Sequence, residues 1–181
     1  VEMLSVIIAS FVIILVGLID DINPISAKYQ FLGQLVAIFI IIFYGNLTID
    51  NMTILGANFN FPQPINYLVT TVFMLGIINA IDLSDGMDGL CSGISTIYFI
   101  TITSIALLLQ MAGNIDSTIS ILMIGSLLGF LVYNFPPAKI YLGDTGSNFV
   151  GLMIAVTALY SFKVATVTSL IVPLLILATP I

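Results

Sequence analysis

The sequence predicts an all-α fold, a polytopic helix bundle integral to a membrane. Of the 181 residues, 60% are hydrophobic and only 7% are charged, and the mean hydropathy is +1.23. Soluble domains carry about 25% charged residues. The apolar residues also fall into runs long enough to cross a hydrocarbon layer of about 30 Å, which takes a helix of about 20 residues.

These runs give about seven candidate spans, of which the sixth and seventh are almost adjacent. The spans cover residues 3–19, 31–45, 66–82, 93–112, 118–135, 147–162 and 164–180. Between the second and third spans, residues 46–65 form the longest polar stretch. Its partial alternation around Gly56 predicts a small β-hairpin outside the bilayer.

No repeat or linker divides the sequence, so we interpret residues 1–181 as a single membrane domain. The sequence starts at Val1 without an initiator methionine and stops in an apolar segment. We therefore expect it to be the interior portion of a longer protein.

The net charge and the cysteine count exclude some kinds of partner and some kinds of site. The net charge is −6, and the acids occupy a few short segments. A surface that binds nucleic acid is basic, so no nucleic-acid partner is expected. Cys91 is the single cysteine, which excludes an internal disulfide and a cysteine-rich metal site.

The densest group of acids lies in residues 79–90, at the end of the third span. Asn79, Asp82 and Asp85 are three residues apart, so they lie along one face of a helix, and Asp88 follows directly. Carboxylates this close repel, and each pKa rises unless a cation neutralises them. With three lysines and no arginine or histidine in the chain, a hard, oxygen-preferring metal such as Mg²⁺ is the natural neutraliser.

Two further loops belong with this group. The Asp20–Asp21 loop, the 82–89 loop and the 136–147 loop are separated by two spans each, so all three lie on one side of the membrane. Lys28 and Lys139 lie on the same side, which the positive-inside rule makes cytoplasmic, whereas Lys163 falls on the other side. Oxygen ligands, lysines and glycine-rich turns before helix N-termini are the components of a diphosphate site.

Taken singly, each component has a simpler interpretation. Asp20 and Asp21 are compatible with a solvated helix end, Asp144 with an N-cap and Asn134 with a C-cap. Lys28 and Lys139 are compatible with plain topology signals. The convergence of all these residues on one face favours a functional site.

Three motifs carry a resemblance to a known family. Residues 79–90, Asn-Ala-Ile-Asp-Leu-Ser-Asp-Gly-Met-Asp-Gly-Leu, resemble the Asn-Ala-x-Asn-x-x-Asp-Gly-x-Asp-Gly-Leu motif of the polyprenyl-phosphate N-acetylhexosamine-1-phosphate transferases, in glycosyltransferase family 4 and the phospho-MurNAc-pentapeptide translocase superfamily. Residues 134–147, Asn-Phe-Pro-Pro-Ala-Lys-Ile-Tyr-Leu-Gly-Asp-Thr-Gly-Ser, are similar to a second signature. Asp20-Asp21, followed by Ser26-Ala-Lys28 and Gln34, is similar to a third. The Asn-Phe-Pro-Pro-Ala-Lys form is closer to the undecaprenyl-phosphate GlcNAc-1-phosphate transferase branch.

The resemblance implies a reaction in the first membrane step of cell-envelope glycan synthesis, as for lipopolysaccharide or teichoic acid. A polyprenyl phosphate, undecaprenyl phosphate in bacteria, attacks a UDP-N-acetylhexosamine. The products are the polyprenyl-diphosphate-sugar and UMP, and Mg²⁺ is required, with Mn²⁺ as a substitute. The implied setting is a multi-pass protein of the bacterial plasma membrane with a cytoplasmic active site, and its expected partners include a second copy in a homodimer.

The resemblance also implies roles for individual residues. Asp144 is the principal metal ligand, and Asp85 lies close to metal and diphosphate as a second ligand and catalytic group. Asp20 and Asp21 are the catalytic groups that meet the lipid phosphate, one of them as base. The residues implied in substrate binding are Lys28, Asn79, Asp82, Asp88, Asn134 and Lys139.

Two departures from the family pattern stand out. Asp82 occupies a position where the family usually has Asn, and the chain lacks the histidine of the family's cytoplasmic loop. The family fold has about ten spanning helices, so we expect N-terminal helices and the histidine loop to be missing and residues 1–181 alone to be inactive.

Three other classes compete with the transferase. A cation transporter or channel would use intramembrane carboxylates, but would distribute them across the membrane depth. A CDP-alcohol phosphatidyltransferase is suggested by Asp82-x-x-Asp85-Gly86, but the Ala-Arg expected next is absent. A catalytically inactive scaffold subunit is suggested by Asp82 and the missing histidine.

Overall fold

The computed structural model describes residues 1–54, 57–60, 62–108 and 114–164. Within these residues the chain forms six α-helices, a π-helical turn and two short strands. The helices are α1 (Glu2–Ile22), α2 (Ala27–Phe39), α3 (Gln63–Ser84), α4 (Leu90–Leu108), α5 (Ile115–Asn134) and α6 (Gly143–Val164), with the π-helical turn Ile40–Tyr44 continuing α2. The predicted seventh span, 164–180, lies outside the described residues except for Val164, which ends α6.

Among the described residues, five helical segments are long and apolar enough to cross a membrane. They are Glu2–Ile22, Ala27–Tyr44, Gln63–Ser84, Leu90–Leu108 and Ile115–Asn134. Many large apolar side chains on these helices, such as Phe11, Leu68 and Leu122, are exposed on the outside of the bundle. The prediction of an all-α membrane helix bundle is confirmed.

The strands form the predicted hairpin between the second and third spans. Strand β1 (Asn51–Ile54) pairs antiparallel with β2 (Ala57–Asn60), in a register that places Asn51 opposite Asn60. Gly56, the predicted turn centre, lies outside the described residues. Since α3 runs from the hairpin to Ser84, the hairpin and the aspartate loops lie at opposite ends of the bundle.

Helix α6 lies at the centre of the bundle, where it packs against α1, α3, α4 and α5. Two glycines allow the closest approaches. A Cβ atom on Gly17 would lie 2.5 Å from Thr145 Cα, and one on Gly151 would lie 2.8 Å from Ile78 Cα. Small residues let helix backbones approach closely in membranes, so the start of α6 is held tightly against the end of α1.

Candidate active site

The carboxylate of Asp21 binds the N-terminus of α6. Its oxygens accept hydrogen bonds from the Asp144 N–H (3.0 Å), the Thr145 N–H (3.2 Å) and the Thr145 hydroxyl. The first N–H groups of a helix have no intrahelical acceptor, and the positive end of the helix dipole favours an anion there. Gly143 has a φ of +66°, a conformation that favours glycine, and turns the chain into this contact. Asp21 therefore fastens the end of α1 to the start of α6.

Asp20, the neighbour of Asp21, meets the side chain of Asp144. Its Oδ1 accepts the Ile25 N–H at 2.6 Å, and its carboxyl group interacts with that of Asp144. This interaction with Asp20, together with burial, raises the pKa of Asp144 to about 6. On the other side, Gln30 Nε2 donates to Asp144 Oδ2 at 2.9 Å. The two carboxyl groups therefore compete for one proton, or for one cation, while Gln30 orients Asp144.

Asp85 follows α3 and also faces the start of α6. Burial raises the pKa of Asp85 to about 6, and the nearby charges of Asp82 and Asp21 add to the effect, while a hydrogen bond from the Gly143 N–H opposes it. The loops after α1 and α3 and the loop before α6 thus meet at one end of the bundle, so their predicted convergence is confirmed.

A buried hydrogen-bond network lies directly beneath these carboxylates. Asp82 Oδ1 accepts hydrogen bonds from the Ser147 hydroxyl and from Asn148 Nδ2 (3.1 Å). The same Asn148 amide donates to the main-chain oxygen of Asp144 at 2.9 Å. Asp82 is thereby connected through Asn148 to the backbone of Asp144.

Two amides extend this network to α2 and α3. Gln34 Nε2 donates to Asn148 Oδ1 at 2.8 Å, and Gln34 Oε1 accepts a hydrogen bond from Asn79 Nδ2 at 3.0 Å. Asn79 Nδ2 also donates to the Leu75 carbonyl oxygen at 2.8 Å. The amide chain, as we call Asn79, Gln34 and Asn148, therefore connects three helices.

Asn134 joins the two neighbouring loops. Its Oδ1 accepts hydrogen bonds from the Gly89 N–H (3.1 Å) and the Ser92 hydroxyl (2.8 Å), and its Nδ2 donates to the Ile140 carbonyl oxygen at 2.9 Å. Only 4% of Asn134 is exposed. Asn134 therefore links the loop before α4 to the loop before α6.

Asp88 and the two lysines lie on the exposed side of these loops. Asp88 Oδ2 accepts the Ala138 N–H at 3.0 Å, and the Lys139 N–H donates to the Tyr133 carbonyl oxygen at 2.8 Å. The side chains of Lys28 and Lys139 are both exposed, so they are free of the packing that fixes the network beneath.

Several residues that contact the predicted site had no role predicted from the sequence. They are Gln30, Gln34, Thr145, Ser147 and Asn148. Spacing was the available signal, because Gln30 and Gln34 are four residues apart, as are Asp144 and Asn148. Residues four apart share a helix face, and polar side chains inside a membrane bundle are expensive unless they have a use.

The donor atoms at this end fit a hard divalent cation. Within the described ranges, no three His, Cys, Asp or Glu side chains are grouped closely enough to hold a metal ion by themselves. Mg²⁺ sites on phosphate substrates commonly use one or two carboxylates, with water and phosphate oxygens completing the shell. The Asp20–Asp144 pair, with Asp85 beside Gly143, matches such a site.

Fold and site together define a polytopic helical membrane protein with a cluster of carboxylates at one end of the bundle. The family model for glycosyl transferase family 4 matches residues 3–162. The chain belongs to this family.

Its relatives are named as transferases of one kind. The chain is 40% identical over 183 residues, 99% of its length, to a probable undecaprenyl-phosphate N-acetylglucosaminyl 1-phosphate transferase of Bacillus subtilis. It is 37% identical over 83% of its length to a decaprenyl-phosphate N-acetylglucosaminephosphotransferase of Mycobacterium leprae, and 34% identical over 80% to a phospho-N-acetylmuramoyl-pentapeptide-transferase of Staphylococcus carnosus. The match covers 50%, 40% and 49% of these relatives, respectively.

Proposed function

We propose that the complete protein transfers N-acetylhexosamine-1-phosphate from a UDP-sugar to a polyprenyl phosphate, with UMP as the other product. The observation that carries the proposal is the meeting of Asp20, Asp21 and Asp144 at one end of a membrane bundle, where Asp21 accepts the Asp144 N–H. UDP-N-acetylglucosamine is the proposed donor, because two of the relatives above are named for N-acetylglucosamine phosphate transfer.

The reaction exchanges one phosphorus–oxygen bond for another. An oxygen of the lipid phosphate attacks the β-phosphorus of the UDP-sugar, the bond from that phosphorus to the bridging oxygen breaks, and UMP leaves. A bound Mg²⁺, or Mn²⁺ in its place, supplies positive charge that neutralises phosphate oxygens. Asp144 and Asp85 are the residues that would hold it.

The remaining residues then have distinct tasks. Both oxygens of Asp21 are occupied by the α6 N-terminus, so Asp20 is the better candidate to accept a proton from the lipid phosphate. Lys28 and Lys139, exposed at the same end, are placed to attract anionic phosphates from the cytosol and the membrane surface. Asn79, Asp82 and Asn134 support the pocket from beneath, and Asp88 fixes the loop at its rim.

We place this pocket on the cytoplasmic side of a bacterial plasma membrane, where UDP-sugars are made. Because the chain spans about half the length of the curated relatives it matches, we expect residues 1–181 alone to be inactive. A homodimer would be tested by the mass of the detergent-solubilised complete protein.

The deciding experiment incubates the complete protein with polyprenyl phosphate, Mg²⁺ and a panel of UDP-sugars, and measures lipid-linked product and UMP. Product that requires both lipid and divalent cation supports the proposal. Cation flux through liposomes containing the protein, with no exchange of UMP into UDP-sugar, would favour the transporter instead.

A further inference from the structure

In the amide chain, Asn79, Gln34 and Asn148, two side chains are buried and hydrogen-bonded to protein groups instead of water. Gln34 and Asn148 are each only 2% exposed. Both nitrogen-bound hydrogens of the Asn148 amide have an acceptor, one on Asp82 and one on the Asp144 main chain. Its oxygen accepts the hydrogen bond from Gln34.

The charge of Asp82 fixes the direction of every bond in this chain. An ionised carboxylate only accepts hydrogen bonds, so the Asn148 NH₂ group must face Asp82 and its oxygen must face Gln34. Gln34 must then turn its own NH₂ group toward Asn148 and its oxygen toward Asn79. One acceptor-only side chain thus sets the orientation of three amides.

The candidate metal ligand, Asp144, is contacted by the amide chain and by a further glutamine of α2. Asn148 holds the Asp144 carbonyl oxygen, and Gln30, one turn before Gln34 on α2, holds the Asp144 carboxylate. Two side-chain hydrogen bonds therefore connect α2 to α6. One joins Gln30 to Asp144 and the other joins Gln34 to Asn148. Residues that hydrogen-bond a metal ligand orient it, and their loss commonly weakens metal binding.

We propose that Asn148 and Gln34 are positioning residues that hold Asp144 in place, and that Asp82 is the anchor that orients them. The assignment of Asp144 as a metal ligand rests on the proposed function. The anchoring role also explains why position 82 is Asp, where the family usually has Asn. An amide at position 82 could present either its oxygen or its NH₂ group to Asn148, whereas a carboxylate presents only an acceptor.

The test exchanges charge between the two partners in the complete protein. Asn148→Asp alone places two carboxylates face to face at neutral pH, and we expect Mn²⁺ affinity and kcat to fall about 10- to 100-fold. In the double variant Asp82→Asn/Asn148→Asp, one carboxylate and one amide again face each other, and the hydrogen bond from Gln34 is kept. The bond to the Asp144 carbonyl oxygen is lost, and the Ser147 hydroxyl loses the Asp82 oxygen that it shares with Asn148. Mn²⁺ affinity should therefore recover most of the loss seen in Asn148→Asp but stay about threefold below the parent.

Three measurements separate the outcomes. Mn²⁺ affinity is read from the electron paramagnetic resonance signal of free Mn²⁺, the thermal midpoint of unfolding from intrinsic tyrosine fluorescence, and kcat and KM from UMP release. Ser104→Ala, on the exposed face of α4 with its hydroxyl bonded within its own helix, is the matched control and should match the parent in all three.

Rescue of both Mn²⁺ affinity and kcat by the double variant supports the proposal. Parental affinity in Asn148→Asp, or rescue of the thermal midpoint without rescue of affinity, would overturn it, because the chain would then serve only to stabilise the fold. If the parent protein shows no sugar-phosphate transfer but the affinity follows the charge exchange, the proposed function fails and the positioning role stands.

Discussion

At the scale of single residues, Asp144 is the side chain on which the predicted site converges. Its carboxylate accepts a hydrogen bond from Gln30 and interacts with that of Asp20, and its N–H group donates to Asp21. We expect Asp144→Asn in the complete protein to lower kcat by at least about 100-fold, because an amide carries no charge for a cation. The thermal midpoint should change little, since the amide oxygen can still accept from Gln30.

The matched control is Asp50→Asn, at the opposite end of the bundle. Asp50 accepts hydrogen bonds from Thr48 and Asn66, which an amide oxygen can also accept, so activity should equal that of the parent. Retained activity in Asp144→Asn would remove Asp144 from the candidate metal site.

The carboxyl group of Asp85 makes the free energy of unfolding depend on pH, and the direction of its pKa shift fixes the sign of that dependence. Burial raises its pKa from 3.8 to about 6, so the folded protein favours the neutral form. The stability this confers is complete below the ordinary pKa and is lost as the pH rises through about 6. After discounting for solvent screening of a half-exposed group, we expect about 1 kcal/mol, or about 2–4 °C in thermal midpoint, between about pH 4 and about pH 7.

Thermal unfolding without divalent cations measures this slope, and Asp85→Asn should reduce it. Contact with Asp20 raises the pKa of Asp144, which contributes in the same direction, but it lowers the pKa of Asp20, which contributes in the opposite direction. The loss of slope in Asp85→Asn is therefore the quantity that reports on Asp85. An unchanged slope in Asp85→Asn would show that this carboxyl group does not titrate as described.

At the scale of secondary-structure elements, Gly17 decides how closely α1 can approach α6. A Cβ atom there would lie 2.5 Å from Thr145 Cα and 2.8 Å from its nitrogen. Both are backbone atoms, so the helices must separate. We expect Gly17→Ala to destabilise the protein by about 1–3 kcal/mol and to lower activity, because the carboxylates of α1 would move away from the start of α6.

Gly125→Ala on α5 is the matched control for this substitution. A Cβ atom at Gly125 meets nothing within 4 Å, so its thermal midpoint in detergent should be unchanged or slightly raised, since alanine favours helix. Equal midpoints for the two variants would contradict the close packing of α1 on α6.

Asn134 controls the relative position of two loops. Asn134→Ala would leave the Gly89 N–H, the Ser92 hydroxyl and the Ile140 carbonyl oxygen without their partner. A buried polar group without a partner costs about 1–3 kcal/mol, so we expect a drop of several degrees in thermal midpoint. Asn114→Ala is the control, because Asn114 is exposed and makes no side-chain cap bond to α5.

At the scale of the whole molecule, the helix order places Asn114 and Lys139 at opposite ends of α5. We expect Lys139→Cys to react with a membrane-impermeant maleimide only when the cytoplasmic face is open, and Asn114→Cys only from the other side. The native Cys91 is 1% exposed and should stay silent. Labelling of both variants from one side would contradict the topology.

Much of this organisation was predictable from local sequence signals. Six of the seven predicted spans coincide with described helices, and the polar 46–65 stretch contains the predicted hairpin. Because two spans separate successive aspartate loops, the chain returns to the same side each time, and Asp21, Asp85 and Asp144 were predicted at one end of the bundle. The roles of these residues, the cation and the sugar stay predictions.

The sequence alone determined the membrane bundle, because span length and charge depletion follow from the thickness and polarity of the bilayer. It also determined which end of the bundle gathers the acids. Only the tertiary structure decided that both oxygens of Asp21 are bound by α6, and that Gln30, Gln34 and Asn148 hold Asp144. The contacts of Asp21, Gln30 and Gln34 with α6 join residues more than 100 positions apart, and they depend on how closely glycines let the helices approach, which no local pattern encodes.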